Sequence, residues 1–253
     1  MSSAMSYPLL IFVVSFLALW LSARIGTLVA SRLRPVRPDE MDDLNLVNNA
    51  GLTLLALIIG FSFSMAVSRY DQRRSYEEEE ANAIGTEYLR TDLLPAADAA
   101  RVRGLLKQYL DQRLLFYQVI DSSRLAEVDS ETAKLQAEMW ASVRNVAGTQ
   151  PTPTIALVVA GMNDVLNTQG YTQAAWWNLI PLGAWALMGG IAICCCMLVG
   201  YGAHEKKYLL LAILPFLVSI AFFFIADIDS PRRGGIRVIP RNLISLSQSM
   251  SGH

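Results

Sequence analysis

Four consecutive carboxylates, Glu77 to Glu80 in "YEEEEANAIGTEY", are the densest charge in the chain. A helix turns once in about 3.6 residues, so neighbours in sequence fan around it and the four cannot all face one site. On a lone chain they make a solvated, self-repelling face. In an oligomer, one or two of these positions per subunit, Glu77 and Glu80 among them, would form a ring of acids at a channel mouth. Just upstream, "SRYDQRR" sets Arg69, Asp71 and Arg73 within about a turn. Such a cluster either anchors a helix at anionic headgroups or forms an anion-attracting vestibule. Asn82 is a poor helix former in the middle of this stretch, which points to a side-chain contact.

Other candidate chemistry is sparse. Asp227 and Asp229 in "ADIDSPRRGG" lie two residues apart beside Arg232 and Arg233. Two carboxylates with backbone carbonyls could hold a hard cation, but the spacing lacks the calcium-loop pattern, and local capping or pairing accounts for both residues. No metal or other cofactor is expected. Cys194, Cys195 and Cys196 are adjacent in an apolar run and point in different directions, so they read as small buried side chains. The two histidines are His204 and the final residue, His253. No nucleophile elbow, HExxH, phosphate loop or dinucleotide fingerprint occurs, and catalysis finds no support. A net charge of −1 gives no sign of nucleic-acid binding.

The elements that must carry these residues follow from composition. Of 253 residues, 53% are hydrophobic and 17% charged, and the mean hydropathy is +0.34. The charge deficit is concentrated in long apolar windows, the pattern of a multi-span membrane protein. Four windows are long enough to cross a hydrocarbon core of about 30 Å. They are expected at 8–30, 48–68, 176–201 and 208–226. The first lacks the basic start of a secretory signal and reads as an uncleaved span, with Arg24 near its end placed to snorkel. The third is expected to open on the interfacial pair Trp176 and Trp177. The fourth carries Pro215, which must kink it or leave a carbonyl for neighbours to satisfy. Short connections make 1–68 and 174–226 two transmembrane hairpins.

Between them, 69–173 reads as a helical cytoplasmic domain. A one-sided stripe of Val102, Leu105, Leu106, Tyr109, Phe116, Tyr117 and Ile120 marks one helix. The 124–146 stretch has fewer large apolar residues and should be more exposed. After "TQPTP", Pro153 opens a further helix expected to end near Gly170. The tail, 227–253, spaces Ile239, Leu243, Leu246 and Met250 as an amphipathic helix for a membrane surface or a neighbouring subunit. Almost no strand is expected. The fold class is therefore an all-α integral membrane protein, with four spans and a helical domain between the second and third.

The second span is the best pore candidate. Leu54, Ile58, Phe61 and Met65 form a continuous apolar face, while Gly51, Thr53, Gly60, Ser62 and Ser64 are small or weakly polar. Small residues suit pore lining or close helix packing equally. No glycine or proline lies between Phe61 and Ile84. One helix should leave the bilayer at about Arg69 and run to about Leu94, where Pro95 stops it. Basic residues divide as Arg32, Arg34, Arg37, Lys206 and Lys207 on the short-loop side. Against them stand Arg69, Arg73, Arg74, Arg232, Arg233, Arg237 and Arg241. This near-even count slightly favours the N-terminus, middle domain and tail in the cytoplasm.

The stretch "GLTLLALIIGFSFSMAVSRYDQRRSYEEEEANAIGTEYLRTDLLP" resembles the bacterial bestrophin-like domain family. The likeness rests on Gly60, Phe61 and Ser62, on the Arg/Asp cluster and on Glu80-Ala81-Asn82-Ala83. Tyr88-Leu89 before Leu93-Leu94-Pro95 and the later "DIDSPRRGGIRV" extend it over 48–246. The more distant likeness is to true bestrophins, ion channels that are usually pentameric, with a pore lined by the second span. The chain departs from them in lacking their aspartate-rich calcium clasp. The resemblance implies a homo-oligomeric ion channel of the bacterial inner membrane, not an enzyme, whose partners are lipid, its own copies and permeating ions. Leu54, Ile58, Phe61, Ser62 and Met65 would form the constriction. Arg69, Asp71, Arg73, Glu77, Glu80 and Asn82 would charge the vestibule. The alternative is a non-conducting scaffold or sensor that binds a partner through its helical domain.

Overall fold

A computed structural model describes residues 7–32, 37, 40–203 and 208–251. Arg34, Lys206, Lys207, His204 and His253 lie outside the described residues. The elements are α1 (Pro8–Arg32), α2 (Met41–Arg90), α3 (Ala96–Gln118), α4 (Ser122–Thr149), α5 (Pro153–Trp177), α6 (Leu182–Gly202), α7 (Tyr208–Asp229) and α8 (Arg241–Ser251), with one 3-10 turn at Thr91–Leu93. Among the described residues there is no strand. Four helices among the described residues are long and apolar enough to cross a membrane. They make this an all-α integral membrane protein.

The local signals behave as expected at most boundaries. α2 runs unbroken for 50 residues, because nothing between Phe61 and Ile84 interrupts the helix, and the chain turns extended before Pro95. Asp121 caps α4 by accepting the Arg124 N–H, and Thr152 caps α5 by accepting the Ile155 N–H, with Pro153 in the first turn. Pro215 lies inside α7 without ending it.

Two compact units result. The first comprises the chain up to Arg69 with Leu179–Arg237. In it α1 packs on α6 and α7. Against α6 the contact is backbone to backbone: a Cβ on Gly200 would overlap the Ala23 carbonyl, and one on Gly26 the Met197 carbonyl. Ser22 Oγ donates to the Ile193 carbonyl at 2.7 Å. Small residues at such a crossing let helices approach where lipid offers no hydrophobic drive. Against α7 the contact is aromatic, with Phe12 edge-on to Phe216 and Phe223.

The second unit comprises Tyr70–Asn178 and the chain from Val238 on. Its core gathers Ile84 of α2, Val102 and Leu106 of α3, Met139 of α4, Met162 of α5 and Leu243 of α8, all fully buried. α4 packs on α3 and α5 through a narrow face that includes Val128, Leu135 and Val143.

Four expectations are corrected here. The Trp176–Trp177 pair ends α5 instead of opening the third span. Trp176 is buried with its ring 4.9 Å from Phe116 and 5.3 Å from Tyr117, so it extends the apolar face of α5. The break falls after it, ahead of Pro181, where α6 begins. Gly170 does not end α5, since buried Val165 and Thr172 on either side hold the helix in the core. Ile120 lies past the end of α3 and is exposed. The tail is not a separate segment: 227–237 belongs to the first unit, and α8 buries Leu243 and Met250 in its own chain's second unit.

Gly200→Ala should destabilise the detergent-solubilised protein by about 1–3 kcal/mol through overpacking against backbone, lowering its thermal midpoint. Gly190→Ala, with nothing within 4 Å of the added methyl, should leave the midpoint unchanged or raise it. Equal midpoints for the two variants would contradict the α1–α6 contact.

Candidate functional site

On the membrane part of α2, Leu54, Phe61 and Met65 are exposed and Ile58 is half-buried, so these four share one open stripe. Ser62 does not join them. It is buried with Leu55 and Ala66 on the inner side of the helix, because a seven- and four-residue step from Leu55 returns to the same face. The small residues divide likewise. A Cβ on Gly51 would lie 2.9 Å from Cys195 Sγ, whereas nothing lies within 4 Å of one on Gly60. Gly51 serves packing.

The two aspartates after the fourth span are fully engaged by protein. Asp227 accepts the N–H groups of Gly235 and Ile236 at 2.7 and 2.9 Å, folding the "SPRRGG" turn back onto the end of α7. A side chain on Gly234 would strike the Asp227 carbonyl, which is why the turn carries glycine there. Asp229 accepts the Ile180 N–H at 2.9 Å and pairs with Arg69 at 3.5 Å. These contacts join the exit of α2 and the entry to α6 to the end of α7. Both carboxylates act as local caps and pairs, the alternative to a cation site.

In the second unit, the inner face of α2 continues as a row of charges. Arg73, Glu77, Glu80 and Glu87 follow one another at steps of four, three and seven and are all buried, with Ile84 between them. Between them, the first three charges reach α5, α8 and α3. Arg73 Nε donates to the Ala175 carbonyl at 3.4 Å in the last turn of α5, where a cation also complements the helix dipole. Glu77 accepts the backbone N–H groups of Asn242 and Leu243 at 2.9 and 3.0 Å and the Asn242 side-chain amide at 2.7 Å. It thereby caps α8 from another helix, an acid at a helix N-terminus. Glu80 is paired with Arg113 of α3 and also accepts from Tyr117 OH at 3.4 Å and Thr172 Oγ1 at 3.2 Å. The Arg113 guanidinium lies 4.4 Å from the centre of the Phe116 ring.

Burial alone would push Arg113 toward neutrality, but the Glu80 carboxylate overrides it and holds the guanidinium above its ordinary pKa. Burial raises the Tyr117 and Tyr109 phenols as well, and Glu80 adds to this. The cluster therefore keeps one ion pair and two neutral phenols.

The vestibule expectation is corrected by this geometry. Arg73, Glu77 and Glu80 face the protein interior because they share the inner face of α2 with Ile84. Asp71, Glu78 and Glu79 are exposed, as is Asn82. Asn82 lies on an open groove with Gly85, Leu89, Asn242 and Leu246. Sequence reasoning missed Arg113, Thr172 and Asn242, whose pairing crosses 33, 92 and 165 positions of chain. The recoverable signal was the 73, 77, 80, 84, 87 spacing, a one-sided helical stripe of the kind normally sought only among apolar residues.

A family model described as Bestrophin-like domain matches residues 17–243. The chain belongs to the bestrophin-like family. Its fold is similar to that of a bacterial bestrophin homolog from Klebsiella pneumoniae. One variant of that homolog matches with a TM-score of 0.65 at 13% identity, covering 96% of this chain and 99% of that one. A second structure of the homolog, phased on zinc, gives 0.63 at 14% identity over 94% and 95%. At such identity the likeness is one of fold. No curated protein matches the chain.

For this bestrophin-like protein, Arg113→Met should cost about 3–5 kcal/mol because it strands a buried carboxylate. The double variant Glu80→Gln/Arg113→Met should recover most of that loss, and thermal unfolding in detergent measures both. Glu77→Gln should expose α8 to limited proteolysis without unfolding α3. Cleavage rates equal to wild type would remove the cap from the account of the tail.

Proposed function

We propose that this bestrophin-like protein assembles as a homo-oligomer around an axis lined by α2 and conducts ions across the membrane. The observation that carries this reading is the open stripe of Leu54, Phe61 and Met65 on a helix whose opposite face is buried. The buried serines of the membrane-crossing helices, Ser22, Ser62 and Ser219, are scattered over separate helices, so a conducting path would require several copies. Resemblance to channel-forming bestrophins favours five. A ring of Phe61 side chains would make an apolar constriction of the kind that gates by dewetting. The exposed acids Glu78 and Glu79, with Asp71, would bias ions near the mouth. The division of basic residues favours the helical domain in the cytoplasm, and the resemblance to bacterial bestrophins favours an inner-membrane setting.

Reconstitution in planar bilayers tests the proposal. Wild type should pass current under an ionic gradient, and Phe61→Ala should raise unitary conductance. Glu78→Gln with Glu79→Gln should move the reversal potential toward anions. That shift should be larger at low salt, since the Debye length is about 10 Å at 0.1 M. If neither wild type nor Phe61→Ala conducts across the accessible range of voltage and pH, the stripe faces lipid or a packed core. The protein is then a non-conducting scaffold.

A further inference from the structure

The last member of the buried row differs from the others. Glu87 is fully buried, yet neither of its carboxylate oxygens accepts a hydrogen bond from a described residue. It is wedged against α5 at Gly161, where an added Cβ would overlap Glu87 Oε2 and Arg90 Nη1. The closest cation, Arg90, stands 4.0 Å away and directs Nη1 to the Leu157 carbonyl of α5 at 3.3 Å. The charged groups that bear on Glu87 are Arg90 on its own helix and Asp164 on α5, one turn beyond Gly161. We propose that Glu87 is a proton-binding latch: protonated, it seats the first half of α5 on the end of α2, and ionised, it releases that contact to water.

The chemistry follows from the site. A neutral carboxyl against a glycine costs far less to bury than a carboxylate, which there lacks donors and is repelled by Asp164. Burial first, then Asp164, outweigh Arg90 and raise the Glu87 pKa from the usual 4.5 to about 8. With the pKa higher in the packed state, the stabilisation is fully present below about 4.5 and is lost as pH rises to about 8. The device therefore loosens α5 progressively as pH rises from about 4.5 to about 8. It does not depend on whether the oligomer conducts.

Hydrogen–deuterium exchange of residues 153–164 in the full-length protein in micelles, corrected for the intrinsic rate at each pH, reads the latch directly. Between pH 6 and 8, linkage allows up to about a fiftyfold fall in protection, levelling off above 8, and a fall of at least about tenfold is expected. Glu87→Gln should abolish the transition. Arg90→Gln should move its midpoint to higher pH, and Asp164→Asn, at an exposed position, to lower pH. Flat protection in wild type overturns the proposal. So does an unchanged transition in Glu87→Gln or, should that variant not fold, midpoints that move in neither neighbour variant.

Discussion

The structure depends on one constraint, a single 50-residue helix that must be compatible with two solvents. The first part of α2 meets hydrocarbon and the last part is wrapped by polar helices. Because its backbone bonds are all internal, α2 crosses that change without cost to its hydrogen bonding. Its side chains cannot. The inner face changes from Leu55, Ser62 and Ala66 to Arg73, Glu77 and Glu80 with no change in helical register. Taking a carboxylate out of water costs several kcal/mol unless donors replace the lost hydration. Each buried charge from Arg73 to Glu80 therefore requires a particular partner at a particular place. The placement of α3, α5 and α8 follows from those requirements as much as from apolar contact.

Much of this was legible in the sequence. Hydropathy indicated four spans, and the absence of Gly and Pro after Phe61 required α2 to run on. Legibility failed where a residue's type and its role diverged. Trp176 and Trp177 look like an interfacial belt because amphipathic rings favour headgroups, yet Trp176 fills the core beside Phe116. Glu77 and Glu80 look solvated because charge ordinarily is. Nothing local to "EEEE" distinguishes the buried first and fourth acids from the exposed second and third. That distinction lies in Arg113 and Asn242, and a single sequence does not encode which distant donor meets which acid.

Glu80 and Glu87 show how much the partner decides. Both lie on the same face of the same helix, two turns apart, and both are inaccessible. Glu80 has a guanidinium and two hydroxyls within reach. Glu87 has a glycine before it and an arginine already committed to a carbonyl. Gly161 explains the difference: the close approach of α5 that a missing Cβ permits leaves no volume for a donor. A position that admits a helix so closely excludes the hydration a carboxylate needs. Tight packing and a raised pKa are there two consequences of one substituent.

Along α2, exposure and polarity are thus inverted relative to an ordinary soluble helix. Phe61, among the more exposed large side chains, belongs to the apolar segment, while the least exposed side chains of the polar segment, Ile84 apart, are charged. An isolated chain gains nothing from the first half of that arrangement in water and risks a desolvation cost in the second. Both halves become favourable only when the open stripe is covered, by lipid or by the same helix of other copies, and when the inner charges are paired. From Arg73 to Glu80 the buried row supplies the pairing within one chain. The stripe supplies no such closure, which makes self-association the step on which a pore reading turns.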